Sequence, residues 1–201
     1  MPDTIDVAEG RFTVKAVVLP HLDDLYRVAL RLTHSSDEAE ELVAVAAARA
    51  CENIASLRDL DKAKQWLLRI LTNAFFSSRR TKKRRQETPY VETEEQDESP
   101  FSLFEALAQY HQDETNPERM VINKLMDDEI QSAIAELPQE YRAAIVLCDV
   151  EGYAYSEIAA ILDVPVGTVR SRLARGRGLL QKRLYHYAEE QGWLPPKNAS
   201  P

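Results

Sequence analysis

SEIAAILDVPVGTVRSRLARGRGLLQKRL, the stretch from Ser156 to Leu184, decides the fold of this chain. Ile158, Ala159 and Leu162 fall on one face of a short helix. Asp163-Val164-Pro165 then makes a tight turn, and a longer helix starts at about Val166. Small Ala159 lets two helices approach closely, and Pro165 limits continuation of the first, so the second leaves at a steep angle. That is a helix-turn-helix, whose second helix is presented to the major groove of DNA. On this second helix Val169, Leu173 and Leu180 are predicted to face the core. Thr168, Arg170, Ser171, Arg172 and Arg175 point outward near its N-terminal half. Arginine donates two hydrogen bonds to guanine O6 and N7, and hydroxyls reach phosphate or a base edge. No acidic residue occurs between Val164 and Ala188. A solvated basic helix in a bundle carries a similar charge pattern, but the turn in front of this one favours DNA reading.

Working back from the motif, Leu137-Pro138 ends one helix and starts another, through Tyr141, Ile145, Val146 and Cys148, which closes near Glu151-Gly152. Asn116 followed by Pro117 supplies the cap and first position of the preceding helix, through Val121, Leu125, Ile130 and Ile134. A domain is thus expected over 116–190, followed by a tail at 191–201. Before it, Gln86 to Glu118 contains no Lys or Arg and carries a charge of about −10, in a chain whose formal net charge is −8. With Pro89, Pro100 and one short apolar patch, PFSLFEALAQY, residues 87–115 read as a flexible acidic linker containing at most a short helix.

The first 86 residues read as another small helical domain. Leu22, Leu25, Tyr26, Ala29 and Leu32 recur at helical spacing, and Ser35 with Glu38 forms a capping box for a second helix, EAEELVAVAAARACENI. A third helix, over about 63–78, places Trp66, Ile70, Asn73 and Ala74 near one face. It leads into RRTKKRR, Arg79 to Arg85, a cluster able to meet phosphates, dock an acidic partner or simply solubilise. No window alternates like a strand, so the expected class is all-α. Two small helical domains are joined by the acidic linker, and the second carries the helix-turn-helix.

Other functions find little support. His21, His34, His111 and His186 are scattered, with no Ser/His/Asp ordering, phosphate loop or metal spacing, so no enzyme, cofactor or catalytic residue is expected. Cys51 and Cys148 are far apart and lack ligand spacing, which argues against a structural metal. No stretch approaches the roughly 18 to 20 apolar residues of a membrane span, and no basic start precedes an apolar run. The chain reads as cytoplasmic and reduced, with no membrane insertion.

Both halves of the sequence resemble the extracytoplasmic-function group of bacterial sigma factors. In the first half the similar residues are LYRVALRLT (Leu25 to Thr33), DEAEELV (Asp37 to Val43) and WLLRILTN (Trp66 to Asn73). In the second they are LPQEYRAAIVLCDVEGYAYSEIAAILDVPVGTVRSRLARGRGLL (Leu137 to Leu180), the more specific match. The resemblance implies a sigma region 2-like domain over 1–86, which would bind core RNA polymerase and open the minus-ten element. It implies a sigma region 4-like domain over 116–190, which would read the minus-thirty-five element of promoter DNA.

Carried over by motif position, Arg170, Ser171 and Arg175 become the major-groove contacts, with Thr168 and Arg172 on phosphates. Lys64, Arg69 and Asn73 fall where such proteins approach the minus-ten strand, and Arg79 and Arg80 where they approach its backbone. Glu41, Leu42 and Val45 fall on the helix that grips the polymerase clamp. Members usually follow the Val43 position with Gln and then an acid, and place large aromatics further along. Ala44, Val45, Ala47 and Cys51 stand there in this chain, which implies a weaker, more apolar or otherwise assisted grip. The alternative is a stand-alone helix-turn-helix regulator that has lost polymerase recruitment. YHYAEEQGW and FSLFEAL are similar to the subgroup controlled by thiol-responsive zinc-binding anti-sigma proteins, which implies an anti-sigma partner and a stress or environmental response.

Overall fold

The computed structural model describes residues 14–83 and 128–190, and every regular element among them is helical. In the first group lie α1 (Val14–Val18), α2 (Leu22–Thr33), α3 (Ser36–Asn53) and α4 (Ala63–Lys83), linked through single turns at Leu19–His21, Ile54–Ser56 and Leu60–Lys62. In the second lie α5 (residues 128–136), α6 (Gln139–Ile145), α7 (Tyr155–Leu162) and α8 (Val166–Glu190). The expected linker 87–115, the Asn116-Pro117 start and the tail 191–201 lie outside the described residues.

The helices begin and end where local chemistry directs. Leu25, Val28, Ala29 and Leu32 of α2 are buried as one stripe, while Asp23 and Asp24 in its first turn complement the helix dipole. The helix stops at His34, whose φ of 57° is left-handed and whose N–H donates to the Leu30 carbonyl at 2.8 Å. Ser35 then caps α3, its Oγ accepting the Glu38 N–H at 3.4 Å. The buried face of α3 is largely alanine, Ala39, Ala46 and Ala50 with Leu42, so α2 and α4 can pack closely against it.

Two expectations about α4 are corrected. It runs on to Lys83 rather than ending near Ser78, and its buried face centres on Leu67, Leu68, Leu71, Ala74 and Phe75. Trp66 and Ile70 are half-buried and Asn73 is exposed. The reason is that α4 packs against α2 and α3 on one side and against α7 on another, so its buried arc is wider than one amphipathic stripe.

In the second group, α6 continues into a π-helical turn over Val146–Val150, closed by the Glu151 N–H donating to the Val146 carbonyl at 3.0 Å. Gly152 follows with φ +74°, a conformation that disfavours a side chain. α8 crosses α6 at Gly176. A Cβ there would lie 3.0 Å from Ile145 Cγ1 and 3.3 Å from Tyr141 Cβ, so the crossing is tight and a methyl would have to push Ile145 aside by a few tenths of an ångström. Ile145, Leu147, Ile158, Ile161, Val169, Leu173 and Leu180 fill the space between α6, α7 and α8. Each fully buried Leu or Ile contributes about 1.5 to 3 kcal/mol. One apolar cluster then runs without a break from Val17 to Leu184, across both groups.

Candidate DNA-binding surfaces

Glu157 prepares the start of α7, its carboxylate accepting the Ala154 N–H at 2.8 Å. The helix ends at Asp163, which adopts a left-handed φ of 56° and donates its N–H to the Ala159 carbonyl. Pro165 opens α8, its carbonyl accepting from the Thr168 N–H at 2.9 Å and the Val169 N–H at 3.2 Å. This turn turns Val169 and Leu173 inward, both nearly fully buried, and leaves Arg170, Ser171 and Arg175 exposed with Thr168 and Arg172 half-buried. All five residues expected to meet DNA therefore share the outward side of one helix. The Ser171 hydroxyl donates to the Thr168 carbonyl at 3.0 Å, which leaves its oxygen lone pairs available as acceptors.

The cations of α8 divide into two sets. Arg177 binds Asp149 at 2.6 Å, and that carboxylate raises the guanidinium pKa further above its already high value. The same guanidinium approaches Cys148 Sγ at 3.7 Å, while burial pushes the Cys148 thiol up. Arg183 pairs with Glu136 at 3.3 Å and Glu129 at 3.6 Å. These two tie α8 to its own domain. Among the described residues Arg170 and Arg172 form no ion pair, so their charge faces outward.

The first domain arranges its expected residues differently. Lys64 binds Asp24 at 2.8 Å, and this contact holds the Asp24 carboxyl below the usual carboxylate range and raises Lys64. The Lys64 ammonium also stands 5.9 Å from the centre of the Tyr153 ring. Arg69 binds Asp163 at 2.8 Å. Asn73 is exposed, and its carbonyl accepts the Ser77 hydroxyl at 2.7 Å. Arg79 and Arg80 lie on the last part of α4. Trp66 is an edge residue of the core, its indole N–H donating to Ser56 Oγ at 3.2 Å.

Of the residues expected to meet polymerase, Glu41 and Val45 are exposed on α3, with Val45 38% exposed. Leu42 is only 6% exposed and belongs to the core, so it supports that face instead of forming it. Ala44 is exposed beside Val45, and Leu30 of α2 is also exposed. Among the described residues, no group of His, Cys, Asp or Glu is arranged to hold a metal ion, and no helix is long and apolar enough to cross a membrane.

Sequence reasoning missed Arg142. Its guanidinium is buried and donates to the Ala135, Leu137 and Leu32 carbonyls, the last at 2.7 Å and belonging to the first domain. It also missed Glu151, whose side chain is 6% exposed and accepts from Arg27 at 3.0 Å. Neither residue carries a local signal for its contact with the first domain, because Arg142 meets Leu32 and Glu151 meets Arg27 across more than 100 residues of chain. Gly176, a glycine inside a helix of 25 residues, did carry one.

The sigma-70 region 2 family matches residues 17–85, and the sigma-70 region 4 family matches residues 127–180. The ECF RNA polymerase sigma factor SigW of Bacillus subtilis is 35% identical over 165 residues, which is 81% of this chain and 83% of that protein. The ECF RNA polymerase sigma factor SigE of Mycolicibacterium smegmatis is 35% identical over 176 residues, and the match spans 87% of this chain and 62% of SigE. Among solved structures, the sigma factor RpoE in complex with the anti-sigma factor NepR from Bartonella quintana is similar at a TM-score of 0.58. It is 25% identical and covers 85% of this chain and 96% of its own. CnrH in complex with the cytosolic domain of CnrY shares the fold, at a TM-score of 0.52 and 20% identity over 86% of this chain and 88% of that one. Two helical domains, a helix-turn-helix with an outward basic face and relatives matched through both domains lead to one conclusion: the chain belongs to the extracytoplasmic-function sigma factors, promoter-selecting initiation factors of RNA polymerase that are not enzymes.

Proposed function

We propose that this chain directs core RNA polymerase to a defined set of promoters by a division of labour between its two domains. The observation that carries this reading is α8, which exposes Arg170, Ser171 and Arg175 behind a helix-turn-helix and ties Arg177 and Arg183 back to its own domain. Arg170, Ser171 and Arg175 would read base edges of the minus-thirty-five element, with Thr168 and Arg172 on phosphates. The domain spanning 1–86 would supply Lys64, Arg69 and Asn73 to the minus-ten strand, Arg79 and Arg80 to its backbone, and Glu41 and Val45 to the polymerase clamp. The acidic segment 87–115 would join it to the reading domain, 116–190. Acting on polymerase and promoter DNA places the chain in the cytoplasm. RpoE of Bartonella quintana is held by an anti-sigma factor, and a protein of that kind is the proposed regulatory partner here, in a stress or environmental response.

Run-off transcription with purified core polymerase on a pool of promoter fragments, with and without the chain, tests the reading. Transcripts sharing an upstream motif are expected only when the chain is present. DNA binding without transcripts or polymerase association would instead make it a stand-alone regulator.

A further inference from the structure

Arg177 is tied to its own domain, yet it stands at the edge of the face of α8 proposed to read DNA. It follows Arg170 by seven residues, so the two side chains leave α8 on one side, about two turns apart. Its Nε and Nη2 groups donate to the two oxygens of Asp149 at 3.0 and 2.6 Å, a bidentate pair that satisfies the charge within the domain. Asp149 is carried by the π-helical turn that follows α6. The same guanidinium also hydrogen-bonds the side chain of Tyr155, the first residue of α7.

The chemistry of that last contact decides what Tyr155 can do. A guanidinium has no acceptor, so it donates and the phenol oxygen accepts. The phenol proton is then turned away from Arg177, and the charge behind the oxygen makes it a better donor. Tyr155 is 36% exposed, which leaves that proton within reach of a ligand. In a helix-turn-helix the second helix enters the major groove while the first crosses the backbone beside it, and tyrosine hydroxyls are among the groups that contact phosphates. Tyr155 opens that first helix, against the edge of α8 that also carries Arg170. A hydroxyl placed there meets the rim of the groove and not a base edge.

Resting on the reading of α8 as the minus-thirty-five reader, we propose that Tyr155 is a further DNA-binding residue. Its hydroxyl donates to one phosphate on the rim of the groove that α8 enters, and Arg177 and Asp149 are positioning residues that hold it there. The anchor is neutral, which sets it apart from the arginines. It strengthens binding on every sequence but releases no condensed counterion, so it adds nothing to the salt dependence.

Fluorescence anisotropy of the full chain on duplex promoter DNA over a salt series tests this, with Arg172→Ala as the reference for a cationic contact. Tyr155→Phe removes only the hydroxyl from an exposed ring. It should lower affinity roughly tenfold on matched and mismatched duplexes alike and leave the salt slope unchanged. Arg177→Gln made together with Asp149→Asn removes the support without altering net charge. That pair should cost as much as Tyr155→Phe, and adding Tyr155→Phe to it should cost nothing more. On duplexes carrying a single uncharged methylphosphonate, one position should abolish the difference between Tyr155→Phe and the unmodified chain. Tyr155→Phe and this series decide the contact even if the paired variant loses helicity by circular dichroism. Unchanged affinity in Tyr155→Phe beside a loss in Arg172→Ala overturns the proposal and leaves α8 as the reader. A Tyr155→Phe loss confined to one base pair, or one that no methylphosphonate position removes, overturns it as well. No loss in either variant would refute the reading of α8 itself, and this anchor with it.

Discussion

At the scale of single residues, Gly176 and Gly178 make a controlled pair two positions apart in α8. A Cβ at Gly178 meets nothing within 4 Å, so Gly178→Ala gains helix propensity and should stabilise the chain by about 0.5 to 1 kcal/mol. At Gly176 the same methyl lies 3.0 Å from Ile145 Cγ1, on a side chain only 1% exposed that has little room to retreat. Overpacking of this kind costs about 1 to 3 kcal/mol, enough to cancel the propensity gain. Urea unfolding should therefore place the Gly178→Ala midpoint above that of the unmodified chain and the Gly176→Ala midpoint at or below it. Equal stabilisation by both would mean that α6 and α8 are farther apart than the structure shows. Periodicity marked Val169, Leu173 and Leu180 as inward-facing, but it is silent about how near two helices come, and that is decided at Gly176.

At the scale of elements, α2 and α4 are joined at their first turns by Asp24 and Lys64, 2.8 Å apart. The lysine holds the Asp24 carboxyl below the usual carboxylate range, so the folded chain binds a proton there less readily than the unfolded chain. The contribution to stability is then complete above the unfolded value of about 3.9 and is lost as pH falls through the lower folded value. Asp24→Asn should lower stability at neutral pH and make the chain less sensitive to pH below about 4, measured by urea unfolding across that range. An unchanged acid limb would mean that the carboxylate is solvated like any surface acid. The elements themselves were legible because their signals are local: Ser35 before α3, alanines at helical spacing within it, and Asp163 to Pro165 between α7 and α8. The full width of the buried arc of α4 was not, because α4 also packs against a helix some ninety residues later, as the contact from Gln65 to Glu157 across 92 positions shows. A hydrophobic pattern records that a face is buried and leaves the covering partner unnamed.

At the scale of the whole molecule, a chain of net charge −8 is proposed to bind a polyanion, and the contradiction is resolved by where the charge lies. Arg170, Arg172 and Arg175 stand together on α8, while Arg177 and Arg183 are neutralised by Asp149, Glu136 and Glu129. The logarithm of the free chain's affinity for duplex promoter DNA should fall linearly with the logarithm of salt concentration, with a slope of about 0.9 for each phosphate neutralised. Two substitutions should separate here, read by fluorescence anisotropy over a salt series on matched and mismatched duplexes. Arg172→Ala removes a proposed phosphate contact, so it should weaken binding alike on all sequences and reduce the slope by about 1. Arg175→Ala removes a proposed base contact and should cost about 1 to 3 kcal/mol on the preferred sequence while relaxing the preference at one position. Because the structure leaves the outward face of α8 exposed, both effects should appear without polymerase present. If the free chain binds duplex only once polymerase is added, α8 is not the independent reader proposed here; if Arg175→Ala weakens every sequence equally, its guanidinium belongs on the phosphate backbone.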